Sequence, residues 1–148
     1  MPLGKHHIRY GAVGLVAVAL VIGLAIAFIA ASAALAAEHA LHANLLVLDL
    51  VREYVVDHQG AWPRSWTDLE QLPAREGAGF RWPADAEEVR RYVAVDFAAE
   101  PDKLATQSVD QFDAIQPIGP CYILDGEVAV FLDGIRQTRQ GDVRRLPQ

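Results

Sequence analysis

The 148-residue chain has one cysteine, Cys121, and few basic residues. A single cysteine excludes an intramolecular disulfide, so we expect a buried, inert thiol, with intermolecular pairing or metal ligation as the alternatives. After Ala37 there are 11 Lys and Arg against all 19 Asp and Glu, which leaves a net charge of −8. Because an acidic domain repels phosphate backbones, this composition argues against nucleic acid as a partner.

Motifs for catalysis and metal binding are also lacking. The sequence contains no G-x-S-x-G nucleophile motif and no D-x-D-x-D-G calcium loop. Three sets of polar residues remain as candidates for a metal site or for acid/base chemistry: Glu38 with His39 and His42; Asp49, Glu53 and Asp57; and Asp96, Glu100 and Asp102. A closed metal site needs about four ligands, and like charges one helical turn apart repel each other. We therefore interpret all three sets as surface residues and predict no enzyme activity, no cofactor and no metal site.

The longest feature that is present is residues 11–37, a run without charge or proline. As a helix it is roughly 40 Å long at about 1.5 Å per residue, enough to cross a hydrocarbon core of about 30 Å. This length predicts a transmembrane helix in contact with lipid. The competing interpretation is a cleavable signal peptide, but the apolar part of such a peptide is only about 7–15 residues long.

The charges around this run predict its orientation. Lys5 and Arg9 precede the run, whereas Glu38 is the first charged residue after it. By the positive-inside rule, residues 1–10 form a cytoplasmic stub, and the acidic domain lies on the periplasmic or extracellular side of the inner membrane.

Residues 38–59 are predicted to extend the helix beyond the membrane as an amphipathic segment. Leu41, Leu45 and Leu48 lie three or four residues apart, and Gly60 is the first helix breaker. This apolar stripe must be covered by the rest of the chain or by a neighbouring molecule. We therefore predict self-association, or binding to other membrane-protein subunits, through these leucines.

The next part of the head, predicted to span residues 60–140, contains one capped helix, one loop and one strand. Ser65 and Asp68 have the spacing of a capping box, which predicts a short helix over 66–72. Residues 74–87 are rich in Gly, Ala and Pro and are expected to form an exposed loop. Alternating apolar residues predict a strand over 89–97.

The last part of the head holds an ambiguous segment. A short helix is predicted near 109–115, and residues 121–124 could pair with the strand at 89–97. Asp125-Gly126 is typical of a hairpin and would make 127–132 a strand, but the apolar residues that follow have helical spacing, so we favour a helix. Residues 141–148 are expected to be a flexible tail.

The segment Tyr54 to Leu72 resembles type IV pilin-like proteins and the pseudopilins of bacterial type II secretion. The matching positions are Tyr54, Gly60, Trp62, Pro63, Ser65, Asp68 and Leu69, within a resemblance that covers roughly residues 11–72. The prepilin peptidase site is missing, because Gly4 is followed by Lys5 with Arg9 at the position of the glutamate. The resemblance implies a long helix capped by a small head with a short antiparallel sheet.

We therefore predict an α+β fold: a long N-terminal transmembrane helix that continues as an amphipathic helix, followed by a small head of short helices and a short antiparallel sheet. The predicted function is a single-pass membrane protein of structural or interaction type, similar to pseudopilins. The alternative is a membrane-anchored ligand-binding or sensing module in which Trp62, Trp66 and Trp82 line a site.

Overall fold

The computed structural model describes residues 5–77, 79–119, 121 and 124–143, with side chains from residue 18 to residue 141 of these ranges. The chain divides into two compact units, residues 1–36 and 37–148. The helices and strands, in chain order, are α1 (Lys5–Asp57), α2 (Trp66–Glu70), β1 (Arg75–Gly77), β2 (Phe80–Trp82), α3 (Ala86–Val89), β3 (Val93–Val95), α4 (Pro101–Leu104), a 3-10 helix (Val109–Gln111), β4 (Ile115–Pro117) and α5 (Asp125–Val143). The predicted α+β class is confirmed.

The N-terminal unit is helical throughout its described part, and from residue 18 onward its side chains, apart from that of Ser32, are apolar and exposed. The large apolar side chains between Val18 and Leu35 are 54–75% exposed. The helical segment Val18–Asp57 contains an 18-residue window with a mean hydropathy of 2.6, and it is the one helix among the described residues that is long and apolar enough to span a membrane. The helix begins at Lys5 and therefore includes residues 5–10 of the predicted stub, and no proline occurs between Pro2 and the end of α1. Residues 1–4 lie outside the described residues.

The second unit is built around the C-terminal part of α1. The core includes Leu46, Val47, Leu48, Leu50 and Val51, so more than one side of the helix faces the core. The sequence predicted a single apolar stripe, and the buried arc is wider because short elements pack on more than one side of α1. Within this arc Leu48 is buried, whereas Leu41 and Leu45 are half-buried.

The end of α1 follows the predicted pattern. Gly60 has φ 87°, and its N–H donates to the carbonyl of Val55 at 2.7 Å. This left-handed conformation suits glycine and satisfies one of the carbonyls that a helix end leaves free. Ser65 then caps α2 by accepting from the N–H of Asp68 at 3.4 Å, as predicted, although α2 ends at Glu70 and not at residue 72.

Residues 74–87 are a hairpin and a helix, so the predicted exposed loop is wrong. β1 and β2 pair antiparallel, with Arg75 opposite Trp82 and Gly77 opposite Phe80. Phe80 and Trp82 are buried, because alternate residues of β2 face the core. Their burial outweighs the turn-forming composition of the surrounding sequence.

The strand predicted over 89–97 is much shorter. Val89 is the last residue of α3, and only Val93–Val95 forms a strand, β3. Its antiparallel partner is β4, with Val95 opposite Ile115, and not the segment 121–124. Of that segment, residues 122 and 123 lie outside the described residues.

The structure of the C-terminal elements shows which segments after residue 108 form helices and which form strands. The helix predicted near 109–115 is reduced to a 3-10 turn, whose Gln111 side chain accepts from the N–H of Ser108 at 3.4 Å. The helix favoured after Asp125 is confirmed as α5, and Phe131, Leu132 and Ile135 are buried along it. The tail was predicted to begin at 141, but α5 continues to Val143, and residues 144–148 lie outside the described residues.

Candidate functional site

A groove lies between the C-terminal part of α1 and the first turns of α5. Its volume is about 270 Å³, and its walls are Leu45, Leu48, Asp49 and Arg52 from α1 and Gly126, Glu127, Val130 and Phe131 from α5. Val130 is 61% exposed. Two of the three leucines predicted to contact a partner therefore line this groove, and we call it the α1–α5 groove.

The groove continues into a wider and more polar concavity of about 740 Å³. Asp49, Arg52 and Val130 belong to both, and the wider part adds Glu53 and Arg75, which form an ion pair. Val56, 58% exposed, contributes another apolar side chain to its wall. The two concavities therefore present apolar side chains beside a polar, charged rim, and protein–protein contacts share the pairing of an apolar centre with a polar rim.

A third depression lies elsewhere on the second unit, between α1, the 3-10 helix, β4 and the start of α5. It has a volume of about 220 Å³ and mostly apolar walls, which include Leu48, Val109, Phe112 and Val128. Asn44 and Asp125 also line it. We call it the Asn44 depression.

The histidine pair predicted as surface residues does not assemble a metal site. The His39 ring lies 6.0 Å from the Tyr92 ring in a stacked arrangement and 6.3 Å from the Phe80 ring edge-to-face. His42 is half-buried and Glu38 is exposed. Among the described residues no group of three or more His, Cys, Asp or Glu could hold a metal ion.

Most carboxylates of the two acidic sets form ion pairs or hydrogen bonds with residues of the same chain. Asp49 pairs with Arg52 at 3.0 Å, and Glu53 pairs with Arg75. The ring of His58 stacks on Tyr54 at 3.8 Å, and its Nδ1 lies 2.9 Å from the Tyr54 carbonyl.

The carboxylates after β3 have equally local partners. Asp96 accepts from the N–H of Ala98 at 2.9 Å, and Glu100 pairs with Lys103 at 2.8 Å. Asp102 pairs with Arg139 of α5. These contacts hold the chain around α4 together and do not direct the three carboxylates toward one point.

The tryptophans contribute mainly to the core and not to a ligand-binding surface. Trp82 is 2% exposed and donates its Nε1–H to the carbonyl of Leu69 at 3.1 Å. Trp62 is also buried, and its Nε1–H donates to the carbonyl of Asp96 at 2.9 Å. Trp66 is half-buried, with the guanidinium of Arg90 5.4 Å from its ring centre. None of the three lines the groove, the wider concavity or the Asn44 depression.

Nearly all lysines and arginines of the described second unit form ion pairs with carboxylates. Apart from Arg64 and Arg91, each of its lysines and arginines has a carboxylate within 4.0 Å.

The pKa of Asp85 is lowered because its carboxylate accepts the backbone N–H of Arg81 and, more weakly, the guanidinium of the same residue. The remaining surface carries an excess of carboxylates.

Sequence reasoning missed Asn44, although one signal could have revealed it. This residue falls among Ala40, Ala43, Val47 and Leu48 on the most apolar part of the extension. A polar side chain in that position is buried at a cost unless something pairs with it. In the structure it is the one polar or charged residue of the described chain that is buried.

No family model matches this chain, and neither a curated protein nor a solved structure is significantly similar to it.

Proposed function

We propose that this chain is a single-pass membrane protein of structural or interaction type, organised like a pseudopilin but without its processing signal. The carrying observation is the apolar surface of α1 between Val18 and Leu35, whose large side chains are exposed among the described residues. Continuous apolar surface of this extent is unfavourable in water and is matched by the hydrocarbon core of a bilayer. The proposed location is the inner membrane, with the N-terminus in the cytoplasm.

Fractionation and cysteine labelling test the anchor and its orientation. We expect the protein to remain in the membrane pellet after alkaline carbonate extraction. In a Cys121→Ser background, a cysteine at exposed Thr106 should react with a membrane-impermeant maleimide added outside spheroplasts. Release by carbonate would contradict the anchor, and labelling only after lysis would contradict the orientation.

We further propose that the α1–α5 groove is a contact surface for a second copy of the chain. Leu45 and Leu48 supply apolar wall, and Val56 and Val130 are apolar side chains left exposed beside it. Anchoring confines all copies to one membrane, which raises their effective concentration and permits association through a modest surface.

Disulfide crosslinking in membranes tests this contact. In the Cys121→Ser background, Val130→Cys and Val56→Cys should each give a dimer on mild oxidation, because both positions border the groove. Thr106→Cys is the matched control, since Thr106 is exposed and lines none of the three concave surfaces. Dimer yields no higher than the control would contradict self-association through this groove.

A further inference from the structure

Asn44 places a hydrogen-bonding group in an apolar core. It is 1% exposed, and its Nδ2 donates to the carbonyl of Ala40 at 2.8 Å. A carbonyl can only accept, so this bond identifies the nitrogen of the amide and leaves Oδ1 as the acceptor of the side chain. Among the described residues Oδ1 has no hydrogen-bond partner, and the side chain lines the Asn44 depression.

The second polar group of the depression is Asp125, at the start of α5. Its carboxylate is exposed and takes part in no hydrogen bond or ion pair among the described residues. The arginine of α5 nearest in sequence, Arg136, is occupied by Asp133 and by the carbonyls of Ala105 and Gln107. No lysine or arginine of the described chain lines the depression.

The rest of the wall is apolar. Leu48, Val109, Phe112 and Val128 provide aliphatic and aromatic surface. The volume of about 220 Å³ lies below the range of about 300–1,000 Å³ that drug-sized ligands occupy, so the depression suits a smaller molecule. Gln116 at the mouth can both donate and accept.

We propose that the Asn44 depression binds a small hydrophobic primary amine. The ammonium group, which has three donors and no acceptor, would donate to Asn44 Oδ1 and to the carboxylate of Asp125. The hydrocarbon part would pack on Phe112, Val109 and Val128. A neutral alcohol of the same shape keeps the apolar contacts and one donor but loses the charge, and a carboxylate meets Asp125 with the same sign.

A series of three isosteric probes tests this assignment on the full chain in lipid nanodiscs. The probes are 2-phenylethylamine, 2-phenylethanol and phenylacetate, with free concentrations corrected for partition into protein-free nanodiscs. The readout is the methyl NMR shifts of Leu48, Val109 and Val128, with Val130 of the α1–α5 groove and Val56 of the wider concavity as reference signals. We expect saturable shifts at the first three positions, with the amine binding at least about tenfold more tightly than the alcohol, which corresponds to one charge-assisted hydrogen bond.

Two variants and one control locate the contact. Asp125→Asn removes an exposed charge and should weaken the amine about tenfold while leaving the alcohol unchanged. Asn44→Leu should weaken both probes, because both donate to Oδ1. Glu127→Gln is the matched control, since Glu127 is exposed in the same turn of α5 but lines the α1–α5 groove.

Equal affinity for amine and alcohol, or an amine affinity that Asp125→Asn does not change, would overturn the proposal. Absence of saturable shifts in the methyl groups of the depression would overturn it as well. Because Asp125→Asn alters only an exposed side chain, the comparison stands even where Asn44→Leu disturbs folding.

Discussion

Arg136 should be a major contributor to the stability of the second unit. Its Nε donates to the carbonyl of Ala105 at 2.9 Å, and its Nη2 donates to the carbonyl of Gln107 at 2.7 Å. Its Nη1 pairs with Asp133 at 2.6 Å, one turn earlier on α5. The guanidinium thus fastens α5 to the chain that follows α4, and no other described side chain makes these two carbonyl contacts.

The expected loss can be worked out from these bonds. A hydrogen bond that involves a charged group contributes about 1.5–3 kcal/mol, and the half-buried position of Arg136 favours the lower value. Two such bonds give about 3 kcal/mol for Arg136→Met. The ion pair with Asp133 adds little, because both side chains are more than a third exposed and such pairs contribute about 0–1 kcal/mol.

Urea titration of the full-length protein in detergent micelles measures this loss. The three tryptophans all lie in the second unit and report its unfolding. Asp133→Asn should cost less than about 1 kcal/mol, and Arg64→Met, an exposed arginine without an ion pair, should change stability by no more than about 0.5 kcal/mol. A cost below about 1 kcal/mol for Arg136→Met, or a cost for Asp133→Asn as large as that for Arg136→Met, would refute this role of the two carbonyl bonds.

Three further predictions concern a helix end, a carboxylate and the anchor. Gly60→Ala should destabilise the second unit by about 1–2 kcal/mol in the same titration, because Gly60 has φ 87°; Gly77→Ala, with open space around it and no positive φ, should cost less. The lowered pKa of Asp85 means that its stabilising effect is complete above its ordinary value of 3.8 and is lost as the pH falls through the lower folded pKa. Asp85→Asn should therefore reduce the loss of unfolding free energy between about pH 5 and about pH 2. An equal loss in the variant and the unchanged protein would contradict a stabilising role for the Asp85 carboxylate. Leu24→Arg should raise the cost of membrane insertion by about 3 kcal/mol and shift protein into the carbonate supernatant, while Leu24→Phe should stay in the pellet.

Long periodic segments could be predicted from the sequence, and α5 shows why. Asp125-Gly126 favours a tight turn, but Val128, Phe131, Leu132 and Ile135 repeat with the period of a helix. Burying that face on the rest of the second unit involves many residues, whereas the turn signal involves two. The apolar period is therefore the stronger signal.

Short strands could not be predicted in the same way. β1 and β2 have three residues each, and the Gly, Ala and Pro around them are typical of a loop. Around β3, the alternation from Val89 to Phe97 suggested one long strand, but Val89 is buried from α3 and Val93 from β3. Both residues face the core from different elements, so burial alone does not distinguish a strand from a helix followed by a strand.

The concave surfaces depend on tertiary packing. Leu45 and Leu48 could be predicted as contact positions on α1, but the opposite wall comes from Val130 and Glu127, about eighty residues later in the chain. No local pattern relates these segments. Asn44 and Asp125 come together in the same way, through the packing of α5 near α1.

The net charge of the second unit has a consequence for the proposed association of copies in a membrane. The described part of this unit contains more carboxylates than lysines and arginines, so two copies repel each other over a Debye length of about 8 Å at physiological ionic strength and about 30 Å at 0.01 M. Dilute buffer should therefore disperse the copies across the membrane surface, and added salt should let them meet. In the proposed membrane arrangement, ionic strength would control how closely the copies approach one another in the plane of the bilayer.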